Sequence, residues 1–159
     1  MVGCMYEAGV LRLLGHATER CGWLTTETVM AALTETQASY LGTAHNGYAT
    51  NYNYNTHLAT PDYEVLEAAP GYTRKGNAIT PINPVVVTDG GLQYAKCDAS
   101  NPAAWTTATF TTGGCSIFDD GVTNDPLLCW LDFGSDKSVT VGTLTVVFDT
   151  NGVFRQKIA

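Results

Sequence analysis

The histidines are the first residues to test for chemistry, because imidazole is the side chain that titrates closest to neutral pH. None of His16, His45 and His57 lies in an HExxH or HxH pattern, which would supply two zinc ligands from one element. His57 is the only one that we consider functional, against the simpler interpretation of a solvated loop histidine. The sequence also lacks the GxSxG, GxxxxGK[ST] and GxGxxG patterns of nucleophile elbows and phosphate-binding loops. These observations predict no catalytic residue, no bound metal and no cofactor.

Three acidic residues, Asp119, Asp120 and Asp125, lie close together near a Gly and an Asn-Asp-Pro sequence. Their spacing is not the DxDxDG spacing of a calcium loop, so we interpret the stretch as an Asp-rich turn. A pair of carboxylates for glycoside hydrolysis would need a placement that nothing in the sequence indicates. We therefore predict that the protein is not an enzyme.

The cysteines number five, an odd count, and no two stand at the spacing of a zinc or thioredoxin motif. The simpler interpretation is that they are buried, reduced thiols, which behave as small hydrophobic side chains. The alternative is one disulfide, either between Cys4 and Cys21 or between two of the C-terminal strands.

Charge excludes two classes of partner. The chain has 159 residues, a net charge of −7 and only eight Lys and Arg residues, which form no cluster. Nucleic-acid binding depends on clustered basic residues that neutralise phosphates, so no nucleic-acid partner is expected. An anionic membrane is equally unfavourable, and no apolar stretch approaches the roughly 20 residues that span a bilayer. We expect no membrane partner.

The pattern of turns predicts a single β-rich domain over residues 1–159, with a main sheet pair over residues 70–159. From Tyr72 onward, turn residues recur at intervals of about ten, which is typical of an antiparallel β-sandwich of jelly-roll type. The predicted strands in this part are Tyr72–Thr80, Val85–Thr88, Leu92–Cys97, Trp105–Thr112, Cys115–Phe118, Leu127–Phe133 and Thr143–Thr150.

Several residues predict burial, edges and turns within this sheet pair. Leu127–Phe133 is almost continuously apolar, which predicts burial on both faces. Pro81 and Pro84 interrupt the chain after Thr80 and confine that region to an edge or a crossing, because proline cannot donate a ladder hydrogen bond. The Gly-Gly pairs at 90–91 and 113–114 are interpreted as turns or bulges. Asn151-Gly152 predicts a type I′ hairpin turn.

The N-terminal part is predicted to contain a helical arm over residues 1–22. The spacing of Tyr6, Val10, Leu13 and Leu14 is helical, which favours a short helix over Met5–Leu14. The following stretch, residues 23–36, has both helical and strand character. We choose a strand at Thr28–Leu33.

Residues 37–60 form a long stretch that is polar, aromatic and poor in aliphatic residues, and we interpret it as a long Tyr/Asn-rich loop. Loops of this length in compact domains are usually functional or disordered. Tyr48, Tyr52 and Tyr54 are interleaved with Asn, as in contact surfaces that use Tyr for large area at low entropic cost. The alternative interpretation is a mobile surface loop. Residues 61–66 are predicted to form a helical turn that begins at Pro61.

Short motifs along the chain are similar to those of a known protein group. They are Tyr72-Thr73-Arg74, Trp105, Ile117-Phe118-Asp119-Asp120, Asp125-Pro126-Leu127-Leu128, Leu131-Asp132-Phe133-Gly134, Leu144 to Phe148 and Gly152-Val153-Phe154, with Gly22-Trp23-Leu24-Thr25 and Thr56-His57-Leu58-Ala59-Thr60 before them. In this order they resemble small virion proteins of tailed bacteriophages, which are encoded among the head genes and described as structural, head-fibre or decoration proteins. The resemblance covers most of the chain.

The resemblance implies a capsid cement (decoration) protein that is made in the host cytoplasm, binds the outside of the shell and stabilises the head. Its implied partners are the major capsid protein and further copies of itself, as a homodimer or homotrimer. We expect the protein interface to use Tyr6, Leu13, Leu14, Tyr48, Tyr52, Tyr54, His57, Tyr72 and Arg74.

The alternative function is a head-fibre, neck or tail-associated module that binds a host-surface glycan. Copy number distinguishes the two, since cement proteins are present in hundreds of copies per virion and fibre or neck proteins in a handful. A soluble enzyme of unknown class is a third, weaker alternative, which a deep pocket with convergent ionisable groups would revive.

Overall fold

The computed structural model describes residues 2–5, 28–36, 54–58, 63–65, 69–122 and 125–157. Within these ranges the chain is mainly β, with two antiparallel sheets and a five-residue π-helical turn, Tyr54–Leu58. The strands are β1 (Val2–Met5), β2 (Val29–Thr34), β3 (Asn77–Ile79), β4 (Pro81–Asp89), β5 (Leu92–Ala99), β6 (Trp105–Asp119), β7 (Leu127–Leu144) and β8 (Phe154–Lys157). The prediction of a mainly β chain is confirmed.

The larger sheet has five strands in the order β1-β7-β6-β2-β3, and the smaller sheet has three in the order β4-β5-β8. The β6–β7 hairpin forms the middle of the larger sheet. On the side of this hairpin opposite β1, strand β2 pairs with β6 without a break in register, from Val29 opposite Asp119 to Thr34 opposite Gly114. In the smaller sheet β5 is central, so that β4 and β8 are edge strands.

Strand β2 is buried on both faces, which explains why a sequence with mixed propensity becomes a strand. Ala31 belongs to a core cluster that includes Phe154 of the smaller sheet. Its neighbour Ala32 belongs to a second cluster that includes Tyr54 of the π-helical turn. Successive side chains of a strand point to opposite faces, so the larger sheet is covered on both sides here. The strand predicted at Thr28–Leu33 is confirmed.

Two of the predicted strands, Trp105–Thr112 and Cys115–Phe118, are parts of the single strand β6. The Gly-Gly pair between them produces a register shift between Thr112 and Gly114, as expected for a bulge. Gly114 is required at this point because an added Cβ atom would lie 2.4 Å from Nε1 of Trp130 on the neighbouring strand.

Strand β7 also continues beyond its predicted end at Phe133. Its first five residues are buried, as predicted for an apolar run covered on both faces. Gly134 then adopts a φ of +75°, and its N–H donates to Oδ1 of Asp132 at 2.7 Å. The strand therefore bends instead of ending, and it resumes pairing with β6 at Lys137. Most of its residues after this bend are exposed.

The predicted C-terminal hairpin is wrong. The N–H of Gly152 donates to the carbonyl of Asp149 at 2.9 Å, so residues 150 and 151 are central in the turn, and neither has a positive φ. After the turn, β8 pairs with β5 and not with the preceding segment. Only the first two residues of the predicted strand Thr143–Thr150 belong to β7. Val146 and Phe148 are nevertheless buried, because alternate side chains of this segment still face the core.

Two predictions between residues 61 and 80 are also corrected. Tyr72 is buried, and only Asn77–Ile79 of the expected exposed strand pairs with a neighbour. The reason is a turn in which Lys75 and Gly76 both have positive φ, 68° and 67°. Glu64 forms an antiparallel bridge with Thr34 instead of part of a helical turn, since its extended backbone pairs with the end of β2.

At the N-terminus, Met5 is the last residue of β1, whose register places Val2 opposite Asp132. The predicted helical arm over 1–22 therefore begins as a strand, and its residues 6–22 lie outside the described residues. Within the predicted loop over 37–60, residues 54–58 form the π-helical turn. The rest of that stretch also lies outside the described residues.

Three cysteines of the described strands are reduced. Cys97, Cys115 and Cys129 are buried and form no disulfide, so the predicted disulfide between C-terminal strands is wrong. Burial raises the pKa of the Cys97 thiol to about 11 and that of Cys115 further still, which keeps both thiols protonated and unreactive. Cys21 lies outside the described residues, so the alternative Cys4–Cys21 disulfide stays a prediction.

Candidate functional site

Among the described residues, a set of interacting polar groups surrounds Glu64, which is fully buried. Its carboxylate accepts hydrogen bonds from the hydroxyl of Tyr72 at 2.7 Å, from the backbone N–H of Lys75 at 2.6 Å and from the hydroxyl of Tyr54. These donors come from different segments of the chain. One carboxylate thus joins the π-helical turn and the turn before β3 to the end of β2.

The two tyrosines are held by the core on either side of the larger sheet. The Tyr54 ring stacks on Phe118 of β6 with a centroid distance of 4.7 Å. The Tyr72 ring lies edge-on to Phe110 at 5.9 Å, and its hydroxyl accepts the N–H of Leu33 at 3.1 Å. Because both rings are fixed by packing, both hydroxyls are directed at Glu64 without further cost in rotamer freedom.

The third donor to Glu64, the backbone N–H of Lys75, lies in a tight turn. At Gly76 an added Cβ atom would lie 2.0 Å from the backbone oxygen of Ala31, so the turn can approach β2 only with glycine at this position. The preceding residue, Lys75, has a φ of 68°, which is uncommon for a residue with a side chain. This conformation points the Lys75 N–H at Glu64.

The Lys75 side chain extends the network to the turn between β6 and β7. Its Nζ pairs with Asp120 and lies 3.1 Å from Oδ2 of Asp125 and 5.4 Å from the centroid of the Tyr54 ring. Partial burial acts to lower the pKa of Lys75, but the two carboxylates raise it overall. Two of the three aspartates in the Asp-rich turn, Asp120 and Asp125, therefore bind an ammonium group. In the part of the chain that the structure describes, no group of three His, Cys, Asp or Glu residues is arranged to hold a metal.

Burial dominates the electrostatics at Glu64. Desolvation raises the pKa of this carboxyl, while the hydrogen bonds from Tyr54, Tyr72 and the Lys75 N–H, together with the charge of Arg74, act to lower it. Burial and the neighbouring Glu64 also raise the pKa of both phenols. A carboxylate with these partners can hold segments together. A substrate could reach it only if this part of the fold opened.

Two open grooves lie elsewhere. One has a volume of about 560 Å³ and is lined by Phe133, Asp136, Lys137, Ser138, Val139 and residues 144–147. The other has a volume of about 350 Å³ and is lined by Glu35, Thr36, Val65, Ala69 and residues 109–111. Neither lining includes Glu64 or its hydrogen-bond partners, so the polar cluster and the grooves are separate features.

The structure brings together two of the predicted contact residues, Tyr54 and Tyr72, but it buries both, at 3% and 5% exposure. Their assignment as surface contacts is corrected, because their rings and hydroxyls are engaged inside the chain. Arg74 is partly exposed near them, and His57 has only its backbone described, in the π-helical turn. The remaining predicted contacts, Tyr6, Leu13, Leu14, Tyr48 and Tyr52, lie outside the described residues.

Glu64 and Lys75 were not singled out from the sequence. The available signal at Glu64 was a carboxylate between Tyr63 and Val65, in a short apolar segment that pairs as a strand. At Lys75 the signal was the following glycine, since Lys-Gly is compatible with a left-handed turn. Neither signal identifies the partner residues, which lie up to 50 positions away.

No family model, curated protein or solved structure matches this chain. Among the described residues, no helix is long and apolar enough to cross a membrane.

Proposed function

We propose that the protein is a bacteriophage capsid decoration protein, which binds the outside of the major capsid protein shell and stabilises the head. The observation that best supports a contact function is the apolar edge of the smaller sheet. Ile82 and Val85 are each 50% exposed and Val86 is 62% exposed, all on strand β4. Apolar side chains grouped on a strand edge favour association with another protein surface.

We also propose that the two sheets pack as an antiparallel sandwich of jelly-roll type. Cys97 and Phe154 from the smaller sheet share a core cluster with Ala31 and Ile117 from the larger sheet, as the inner faces of a sandwich do. In this arrangement the sandwich is the scaffold, and the contacts are made by its edges and by the segments attached to it.

The Glu64 cluster has a supporting role in this proposal. Tyr54 ends the tyrosine-rich part of the chain and is anchored on Phe118 and Glu64. This anchor would fix one end of a contact segment that contains Tyr48 and Tyr52. Together with Tyr6, Leu13, Leu14, His57 and Arg74, these residues remain the proposed contacts with the major capsid protein.

The test is to replace Tyr48 and Tyr52 by Ala and measure occupancy on purified heads. A deletion through residue 54 is unsuitable, because loss of Tyr54 would remove a core side chain. We expect the double variant to fold like the wild type and to bind heads more weakly. The control is Val141→Ala, at a side chain that is 76% exposed on β7, which should leave occupancy unchanged.

Quantitative mass spectrometry of purified virions tests the wider proposal. Hundreds of copies per particle are expected for a decoration protein. A handful of copies, with binding to a host-surface glycan, would favour a head-fibre, neck or tail module instead. Absence of the chain from purified particles would overturn both functions.

A further inference from the structure

The outer edge of β4 has the features of a strand that pairs with another chain. One side of β4 pairs with β5, and within the described residues no strand pairs with the other side. Residues 81–88 carry no charge, and Asp89 is the only charged residue in the strand. Open edges are usually protected by charged side chains, prolines or bulges, because an unpaired edge is a template for strand pairing. In β4 the prolines and the register shift lie at residues 81–85, so residues 85–88 have none of these protections.

The hairpin geometry identifies the free backbone groups. Gly90 and Gly91 form the two-residue turn between β4 and β5, and both have positive φ, 57° and 78°. The pair that flanks such a turn, Asp89 and Leu92, exchanges hydrogen bonds, and hydrogen-bonded and non-hydrogen-bonded pairs then alternate along the ladder. Counting back from the turn, Val86 and Thr88 are positions whose N–H and C=O point away from β5.

We propose that β4 pairs with β4 of a second copy of this chain, antiparallel about a two-fold axis at Val86. In this register the two Val86 residues exchange N–H···O=C hydrogen bonds across the axis. The N–H of each Thr88 then meets the carbonyl of Pro84 in the other copy, which needs no N–H from the proline. Val85 of one copy lies opposite Val87 of the other, so apolar side chains meet next to the axis.

Charge favours a second copy over a charged peptide. A partner strand with ionised side chains would have to desolvate them beside exposed valines, whereas β4 itself is neutral from residue 81 to 88. In the two-fold register the two Asp89 residues lie six strand positions apart, about 20 Å at the rise of a strand. This separation exceeds the Debye length of about 8 Å at physiological salt. Arg155 also holds each Asp89, with 2.8 Å between Nη1 and Oδ2.

Pro84 limits the pairing to a short ladder. It has no N–H to donate, and the register of β4 against β5 shifts between Ile82 and Val85, on either side of it. The dimer ladder therefore ends at Pro84 in each copy. This arrangement gives a closed two-fold contact and not an extended sheet.

Light scattering of the purified chain tests the pairing, because the expected particle has twice the 17.0 kDa mass of one chain. Val86→Lys places two ammonium groups at the axis and should give single chains. The control Val141→Lys, on a side chain that is 76% exposed in the larger sheet, should leave the dimer intact. A wild-type protein of single-chain mass, or a dimer that Val86→Lys does not weaken, would overturn the proposal.

Amide hydrogen exchange provides a second readout that does not depend on a variant. The N–H groups of Val86 and Thr88 should exchange slowly in the dimer, since both are hydrogen-bonded across the axis. Rapid exchange at both positions in a particle of two chains would place the contact elsewhere and contradict the proposal.

This inference deepens the proposed function by naming one contact, and its failure can be distinguished from failure of that function. A chain that occupies heads but is monomeric in solution overturns the β4 pairing alone. A chain that forms the β4 dimer but is absent from virions overturns the capsid function alone.

Discussion

The Glu64 cluster and the β4 edge differ in which groups they bury and which they expose to solvent. At Glu64 an ionisable carboxyl group is buried, and three donors within the same chain hydrogen-bond to it. At β4 large apolar side chains are exposed, and by the hairpin geometry part of the backbone faces outward. The first arrangement stabilises the monomer, whereas the second is suited to association. The features that favour stability and those that favour association therefore lie in different parts of this fold.

The largest expected effect concerns the contribution of the Glu64 cluster to stability. Glu64→Ala removes the acceptor of three buried donors and leaves a cavity, so the free energy of unfolding should fall by about 3–5 kcal/mol. Urea denaturation of the purified variant measures this loss.

The matched control is Asp89→Ala at the β4 edge. Its side chain is 58% exposed and its carboxylate pairs with the Arg155 guanidinium, so its loss should cost less than about 1 kcal/mol. Equal losses for the two variants would show that the Glu64 network contributes no more to stability than a surface ion pair.

The second prediction concerns two glycines with similar backbone conformations. Gly76→Ala should destabilise the fold by about 3 kcal/mol or more, because the new Cβ would meet the Ala31 backbone in addition to straining a φ of +67°. Gly90→Ala, with a φ of +57° and nothing within 4 Å of the new Cβ, should cost only about 1 kcal/mol. Thermal unfolding of both variants compares the two values. A similar cost at both sites would mean that the turn beside Glu64 is not tightly docked.

The third and smallest effect is the pH dependence of stability. The pKa of Glu64 is raised above its ordinary value of 4.5 by burial. Because the folded pKa exceeds the unfolded one, the stabilisation from this group is complete below the unfolded value and is lost as pH rises through the folded pKa. Glu64→Gln removes this contribution, since the amide does not titrate.

Urea midpoints of the wild type and Glu64→Gln between about pH 4 and pH 8 check the prediction. The stability of the wild type relative to the variant should decrease as pH rises over this range. A difference that increases with pH would mean that the hydrogen bonds outweigh burial and hold the pKa below its ordinary value.

Local patterns in the sequence predict most of the strands. The apolar run after Pro126 predicts a buried strand, Pro81 and Pro84 predict an edge or a crossing, and the Gly-Gly pair at residues 90–91 predicts a turn or a bulge. The structure contains the buried strand, the edge and the turn. The Gly-Gly pair at 113–114 permitted a turn or a bulge. Which of the two occurs depends on Trp130, whose indole packs against Gly114.

The remaining features depend on partners that are distant in sequence. Asn151-Gly152 has the composition of a hairpin turn, but β8 pairs with β5 instead. The N–H of Val153 donates to the carbonyl of Cys97, and this hydrogen bond begins the pairing of β8 with β5. Tyr54 and Tyr72 resemble exposed contact residues in sequence. Their burial becomes evident only once Glu64 is placed between them, and that requires the bridge from Glu64 to Thr34. Pairing over such separations is not encoded in local composition.

The close approach of Gly114 to Trp130 constrains how the two positions can change in evolution. The indole leaves no space for a Cβ at position 114, and its Nε1 donates to Oγ1 of Thr34 at 3.2 Å. A mutation at either position therefore selects for a compensating change at the other. In diverged descendants of this gene, a glycine and a tryptophan at these two places should be kept together or replaced together.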